Sequence, residues 1–404
     1  MFSRVAWLRN LILGFSLLLS SCSTFYLGRY IAWNVPEIDD YKRFPSREIA
    51  NAGPIFRFKE SELKKERFLR LFGTVEYKRA GEKTAGDLEL LLEDTGTTAF
   101  IVIQNDYVIY ERYFNGYTRD SINTAFSVSK SFISGLVGIA IAESHFGSLE
   151  DPITAYVPEL KDDRFGSITL KHLLSMSSGL QFSNSLLPWG DRVLSYYSTD
   201  LRSVVYDVRI AMEAGRYFNY NDNNFQLLGM VLERTTGRSV SEYLQEKIWK
   251  PLGMEFPASW SLDSEQSGFE LMPAGLNARA VDFAKYGRLF LNEGLWDGRW
   301  VIPSAWVHDS TVIIPKTETI LDYYHKVGGP QQQRDFFNAD SGYYSLGWWG
   351  YPRVDGNYDF YGQGALGQFL YISPRKKVII VRHGTGWGGV YWWPSIFRRM
   401  VDRL

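Results

Sequence analysis

The chain has 404 residues, of which 45% are hydrophobic, 16% aromatic and 22% charged, and its formal net charge is −1. This length is ample for a large core, and by length alone about two or three domains could be present. The near-neutral balance gives no reason to expect nucleic acid or an acidic surface as a partner.

The N-terminus resembles the export signal of a bacterial lipoprotein. Two arginines precede an apolar run over residues 11–19, which has the length of a signal h-region and is too short to span a bilayer comfortably. The run ends in Leu19-Ser20-Ser21-Cys22, which is similar to a bacterial lipobox. This resemblance implies a signal peptide over residues 1–21, cleavage before Cys22 and lipidation of the Cys22 thiol. An uncleaved signal anchor is the alternative.

Cys22 is the only cysteine in the chain, so no intrachain disulfide can form. The lipobox implies a lipid anchor in a membrane of the bacterial cell envelope, with the rest of the chain facing the periplasm. By resemblance to bacterial sorting rules, Ser23 after the cysteine, in place of Asp, favours the outer membrane.

Residues 22–85 are irregular and mixed in charge, with three prolines between residues 36 and 54. We predict that they form a tether that wraps onto the main domain, residues 86–404, instead of folding separately. The acidic pair Asp39-Asp40 is expected in a solvated loop.

A β-hairpin and a buried helix are predicted at the start of the main domain. Two apolar runs, residues 100–103 and 107–110, flank the turn Gln104-Asn105-Asp106. The apolar residues between 132 and 141 are too continuous for a surface helix and indicate a buried one.

Ser127 and Lys130 stand three residues apart at the start of that helix, so they share one face of it. A serine hydroxyl becomes a strong nucleophile only when a base removes its proton. Burial can lower the pKa of a lysine by roughly 3–5 units, which would bring the Lys130 amine near neutrality and let it act as that base. Ser127 is the only nearby serine followed by a lysine at this spacing.

The remaining elements predict one α+β domain, in which an antiparallel sheet is flanked by helices and carries a large helical insertion over about residues 148–310. Within the insertion, a helix is predicted over residues 224–233, and Ser239 opens a capping box. Strands over residues 367–372 and 378–381 and a closing helix over residues 395–404 complete the domain, and these last strands can join the first hairpin in one sheet.

Further motifs in chain order resemble those of the serine hydrolases of the class C β-lactamase and penicillin-binding type. Tyr220-Asn221-Asp222 precedes a helix that contains Leu227-Leu228-Gly229, and Ser127 to Lys130 supplies the family's Ser-x-x-Lys. Gly364-Ala365-Leu366-Gly367 resembles the third motif of the family, in the form found in its 6-aminohexanoate-dimer hydrolase and esterase branch. The resemblance extends over residues 99–399 and implies a β-lactamase/transpeptidase-like fold.

The resemblance also implies roles for individual residues. Ser127 would be the nucleophile, Lys130 its general base and Tyr220 a proton shuttle to the leaving group. The backbone N–H groups of Ser127 and Ala365 would form the oxyanion hole, where one donor is typically worth roughly 3–4 kcal/mol. Four further residues are candidates for substrate binding: Asp222, Asn277, Gly364 and Leu366. A turn asparagine is an equal interpretation of Asn277.

Two departures from the family pattern bear on the substrate. Asp222 stands where the family has asparagine, so an amide donor has become an acceptor. Ala365 and Leu366 stand where penicillin-recognising relatives carry a cation that meets the carboxylate of the drug or peptide. We therefore expect a small uncharged amide or ester as substrate in preference to a β-lactam.

Other features limit the function. The five histidines are scattered without metal-ligand spacing, so we expect no metal and no cofactor. Nothing in the sequence determines the oligomeric state. Two alternatives to a membrane-anchored hydrolase stay open: an envelope protein of the same fold that acylates slowly or not at all, and a purely structural surface lipoprotein.

Overall fold

The structure is a computed structural model that describes residues 25–312, 331–338 and 342–404. The predicted signal peptide, residues 1–21, and the lipidation site Cys22 lie outside the described residues. Within the described stretches, every helix is too short or too polar to cross a bilayer.

The strands are β1 (Ser46–Ile49), β2 (Lys59–Glu60), β3 (Thr74–Arg79), β4 (Glu82–Asp87), β5 (Thr97–Gln104), β6 (Tyr107–Tyr113), β7 (Asn123–Thr124), β8 (Ala258–Ser261), β9 (Leu276–Ala278), β10 (Leu295–Trp296), β11 (Arg299–Trp300), β12 (Tyr343–Ser345), β13 (Trp348–Pro352), β14 (Tyr358–Gly364), β15 (Gln368–Ser373) and β16 (Val378–Gly384).

The α-helices are α1 (Phe25–Trp33), α2 (Glu62–Phe72), α3 (Leu88–Asp94), α4 (Ser129–Ala142), α5 (Leu170–Leu174), α6 (Asp191–Tyr197), α7 (Leu201–Tyr206), α8 (Asp222–Thr236), α9 (Val240–Leu244), α10 (Ala280–Leu291), α11 (Ser304–Thr311), α12 (Gln331–Asn338) and α13 (Trp393–Arg403).

The central sheet has eight strands in the order β12-β13-β14-β15-β16-β5-β6-β2. All neighbours are antiparallel except β2, which runs parallel to β6 at the edge. The predicted hairpin is β5 and β6, and β5 pairs with β16 from Val378 opposite Gln104 onward. This pairing joins the first and last parts of the domain in one sheet, as the sequence predicted.

Helices cover both faces of the central sheet. The rings of Phe397 in α13 and Phe369 in β15 meet with their centroids 5.5 Å apart. On the opposite face, a side chain at Gly287 in α10 would come within 2.9 Å of Ile379, so this glycine lets the helix lie close to the sheet. Helix α4 is buried from Ser129 to Ala140, as its continuous hydrophobicity predicts. The predicted α+β fold class is confirmed.

Residues 148–310 contain helices α5 to α11, and they also contain strands that the sequence did not predict. A second, four-stranded sheet has the order β1-β8-β9-β7. Strand β1, from the segment predicted as a tether, pairs with β8 from Ser46 opposite Ser261 to Ile49 opposite Ala258. Strands of two to four residues give too little alternation to be recognised in a sequence.

The segment before β1 is also packed against the domain. Asp40 is 1% exposed, and its carboxylate accepts hydrogen bonds from the Tyr196 hydroxyl at 2.7 Å and the Glu37 N–H at 3.0 Å. Its neighbour Asp39 is 41% exposed and pairs with Lys42 at the surface. The prediction of a solvated acidic pair is therefore wrong for Asp40, because Tyr196 supplies a buried donor that the local sequence does not reveal.

Candidate active site

Ser127 lies in a 3₁₀ turn, Phe126–Val128, that leads directly into helix α4. The residue before it, Phe126, has φ of +47°, which is rare for a side chain of this size. A buried phenylalanine held in this conformation is a local strain that the surrounding packing must overcome. The turn leaves Ser127 partly exposed while both of its neighbours are buried.

Lys130 lies beneath Ser127 and is almost completely buried. Its Nζ atom donates to Ser127 Oγ at 2.9 Å and to the carbonyl oxygen of Pro273 at 3.1 Å. The same Nζ lies 2.7 Å from Asp222 Oδ1, and the exposed fractions of the two side chains are 1% for Lys130 and 25% for Asp222. The serine and lysine that the sequence singled out are therefore in direct contact.

The charge state of Lys130 differs from the expectation. Burial alone lowers the pKa of Lys130, but the adjacent Asp222 carboxylate and Tyr220 hydroxyl raise it, and the net direction is upward from the ordinary lysine value. The expectation of a near-neutral amine is therefore wrong for this structure. The sequence-based expectation took only burial into account, whereas the Asp222 carboxylate stabilises the ammonium form of Lys130.

Tyr220 and Asp222 reach the pair from the start of helix α8. Asn221 between them caps the helix, accepting a hydrogen bond from the Asn223 N–H at 2.9 Å. The ring centroid of Tyr220 is 4.9 Å from Lys130 Nζ. The ring of Trp349 stacks on that of Tyr220 at 5.6 Å and fixes its orientation.

Ala365 follows strand β14 and opens the turn Ala365–Gly367, in which Leu366 has φ of +58°. A side chain at Gly364 would come within 2.3 Å of the Ala125 carbonyl oxygen, so only glycine lets this strand end lie against the turn that carries Ser127. Below the turn, the buried Arg382 donates to the Gly367 carbonyl oxygen at 2.7 Å. Gly364 thus has a role in backbone placement, and the expectation that Gly364 and Leu366 bind substrate stays a prediction.

A cavity of about 100 Å³ opens beside Ser127 and Ala365. Its walls come from the N-terminal segment, from helix α6 and the loop before it, and from the catalytic elements. They are formed by Tyr30, Asn34, Val35, Pro36, Phe126, Ser127, Leu186, Arg192, Val193, Tyr196, Tyr197, Asp222, Ala274 and Ala365. A larger cavity of about 440 Å³ lies farther along the helical region and includes neither Ser127 nor Lys130. We place the candidate site at the smaller cavity because Ser127, the predicted nucleophile, lines it.

Two features of the cavity were not anticipated. The N-terminal segment forms one wall, and Arg192 brings an exposed cation to the cavity from an element outside the three motifs. Neither could be recognised from the sequence, since no motif surrounds these residues. Among the described residues, no cluster of three or more acidic, histidine or cysteine side chains is arranged to hold a metal ion.

Asn277 does not reach this cavity. It is fully buried in β9, where its side chain accepts from Thr124 Oγ1 at 2.9 Å and donates to Ser261 Oγ at 3.0 Å. The expectation that Asn277 binds substrate is therefore corrected, because its amide is occupied in tying β9 to its neighbours. The alternative of a turn residue is equally wrong, since Asn277 lies in a strand.

A model of the Beta-lactamase family matches residues 91–391 of this chain. The 6-aminohexanoate-dimer hydrolase of Paenarthrobacter ureafaciens is 28% identical over 308 residues, which cover 73% of this chain and 74% of that protein. A Bacillus anthracis protein provisionally named as a 6-aminohexanoate-dimer hydrolase superposes with a TM-score of 0.72 at 26% identity, covering 92% and 93% of the two chains. A class C β-lactamase variant superposes with a TM-score of 0.58 at 16% identity, covering 85% of this chain and 98% of the other, which shows the fold alone.

These similarities define a serine hydrolase with a β-lactamase/transpeptidase-like fold. The chain belongs to the Beta-lactamase family. The resemblance to the 6-aminohexanoate-dimer hydrolase branch, first indicated by the Gly364 to Gly367 motif, is confirmed.

Proposed function

We propose that this protein is a lipid-anchored hydrolase that cleaves an amide or ester bond through an acyl-Ser127 intermediate. The observation that carries the proposal is the 2.9 Å contact between Lys130 Nζ and Ser127 Oγ at the wall of a cavity. The similarity to a 6-aminohexanoate-dimer hydrolase supports amide substrates, and esters present the same kind of carbonyl.

In the proposed reaction, Ser127 Oγ attacks the substrate carbonyl while its proton passes to Lys130. The backbone N–H groups of Ser127 and Ala365 stabilise the negative charge on the carbonyl oxygen. Tyr220 passes a proton to the departing amine or alcohol, and water then hydrolyses the acyl-serine. Lys130 must be neutral to accept the proton, so the Asp222 carboxylate restricts the first step to the deprotonated fraction of the enzyme.

The ion pair between Lys130 and Asp222 also favours a second candidate, an envelope protein that acylates slowly. A permanently protonated lysine would leave Ser127 without a base. The two candidates differ in turnover, because only the hydrolase releases the acyl group repeatedly.

A fluorophosphonate probe tests the nucleophile. We expect the wild-type protein to be labelled and the Ser127→Ala variant to remain unlabelled, with Ser129→Ala as the matched control. Ser129 Oγ accepts a hydrogen bond from the Leu276 N–H and is completely buried, so its variant should be labelled like the wild type. Equal labelling of Ser127→Ala and wild type would eliminate the proposal. Repeated turnover of a short-chain p-nitrophenyl ester by the wild-type protein would exclude the slow-acylation candidate.

The anchor is a separate part of the proposal, and it depends on Cys22. Radiolabelled fatty acid should be incorporated into the wild-type chain and not into Cys22→Ala. Incorporation that survives this substitution would contradict the anchor and leave the hydrolase untouched.

A further inference from the structure

In helix α1, Phe25–Trp33, the charged residue faces inward and apolar residues face the solvent, which is the reverse of an ordinary surface helix. Its only charged side chain, Arg29, points inward and donates to the Asp263 carbonyl oxygen at 2.6 Å. On its outward side, Ile31 is 76% exposed, and Gly28 and Ala32 are exposed beside it. A helix that faces water normally shows its charged residues to the solvent and its apolar residues to the core.

A second apolar segment lies beside this helix. Residues 181–190 contain no charged side chain, and three large apolar residues project from them: Leu186 is 56% exposed, Leu187 52% and Trp189 72%. The Tyr30 hydroxyl donates to the Leu186 carbonyl oxygen at 2.6 Å, which ties the segment to α1.

The two segments meet at the mouth of the Ser127 cavity. Val35, which is 54% exposed, and Leu186 both line that cavity. We call Ile31, Val35, Leu186, Leu187 and Trp189 the apolar rim. Large apolar side chains grouped at one site on a protein surface mark a place where water is replaced by another apolar surface.

We propose that the apolar rim inserts into the surface of a lipid bilayer, so that the Ser127 cavity opens toward the membrane. The inference rests on the lipid anchor of the proposed function. Cys22 is three residues before α1, a reach of at most about 10 Å in any conformation. Ile31 lies six residues into the helix, about 9 Å farther. Ile31, the rim residue on α1, is therefore held within about 20 Å of Cys22, the residue proposed to carry the lipid.

The chemistry of the rim fits an interfacial position. Tryptophan is enriched at the depth of lipid headgroups, and leucine and isoleucine enter the acyl boundary below them. Arg192, exposed at the same cavity, can remain among the headgroups. A bilayer is favoured over a folded partner because the chain itself supplies the tether that holds the rim there.

Quenching of tryptophan fluorescence by brominated phosphatidylcholine tests the proposal. The mature lipidated protein, which begins at Cys22, is reconstituted in vesicles with and without the brominated lipid, alongside its Trp189→Phe and Trp300→Phe variants. Trp300 is 61% exposed and lies outside the rim, in β11, so it is a matched control. We expect quenching in the wild type, a clear loss of it in Trp189→Phe, and wild-type quenching in Trp300→Phe.

Equal quenching of the wild type and Trp189→Phe would overturn the proposal, as would unquenched wild-type protein. If a second copy of the chain covered the rim instead, Trp189 would be shielded from the brominated lipid, and this result also overturns the proposal. The outcome is independent of catalysis, because Ser127→Ala should be quenched like the wild type. Failure of fluorophosphonate labelling would therefore contradict the hydrolase proposal and would not affect the proposal that the apolar rim inserts into the bilayer.

Discussion

The Asp222 carboxylate acts on the charge of the amine that the proposed reaction needs. Burial lowers the pKa of Lys130, but Asp222, which lies 2.7 Å from Lys130 Nζ, and the Tyr220 hydroxyl together raise it above the ordinary lysine value. An asparagine at this position would keep a polar contact with the lysine and lose the charge. The aspartate at position 222, where the family has asparagine, therefore affects the pKa of Lys130, the proposed base, more directly than it affects substrate binding.

The Asp222→Asn variant should shift the pH dependence of kcat/KM. The neutral form of Lys130 forms as the pH rises through its pKa, so a lower pKa moves the acidic limb of the profile to lower pH. Removing an opposite charge at this distance is expected to move the limb by about 1–3 pH units. A pH–rate profile on a soluble ester measures this, with the exposed Asp207→Asn as control. An unchanged limb would show that Lys130 does not titrate as the base.

At the scale of elements, the close contact between the end of β14 and the turn Phe126–Val128 places Ala365, the proposed second oxyanion donor, beside Ser127. This contact depends on the missing side chain at Gly364, whose backbone φ of −118° is otherwise open to any residue. The constraint is therefore purely steric. A Cβ atom at position 364 would come within 2.3 Å of the Ala125 carbonyl oxygen, which is too close for any side chain.

The Gly364→Ala variant should push the Ala365 N–H away from Ser127. A displacement of about 1 Å at a reacting group can cost about 100-fold in rate, so we expect a loss of kcat/KM of that order. Gly166→Ala is the control, because a side chain there meets no atom within 4 Å. Steady-state kinetics together with the melting temperature separate a local displacement from unfolding. A variant with wild-type kinetics would exclude Ala365 from the oxyanion hole.

The elements that the sequence predicted are those with strong local signals. Helix α9 begins with the capping box at Ser239, and β5, β6, β15 and β16 are continuous apolar runs. The contact of Ser127 with Lys130 was predictable because both lie on one turn of chain. The Asp222 ion pair and the cavity walls were not, because they join residues distant in sequence whose meeting depends on packing.

At the scale of the whole molecule, the N-terminal segment is part of the domain and one wall of its cavity. Asp40 fastens it by accepting from Tyr196 in α6 and from the Glu37 N–H. Burial raises the pKa of Asp40, although the hydrogen bonds from Tyr196 and Glu37 oppose this effect. The segment therefore depends on a buried polar contact as well as on apolar packing.

The Asp40→Ala variant should destabilise the protein, because the Tyr196 hydroxyl and the Glu37 N–H would lose their acceptor. Of the two donors only the Tyr196 hydroxyl is buried, and an unsatisfied buried donor costs about 1–3 kcal/mol, so we expect the free energy of unfolding to fall by about 1–3 kcal/mol. Urea denaturation measures the change. Asp39→Ala is the control, since its surface ion pair with Lys42 is worth about 0–1 kcal/mol. Equal stability of the two variants would contradict the role given to Asp40.

The pairing of β5 with β16 has a consequence for biosynthesis. Ser127 and Lys130 emerge from the ribosome early, but Ala365, the strand β16 that borders β5, and the strand β15 beyond it belong to the last part of the chain. Contacts this distant in sequence form only after both partners are available. An unfinished chain therefore holds Ser127 without Ala365, and the proposed active site can be completed only when synthesis is nearly finished.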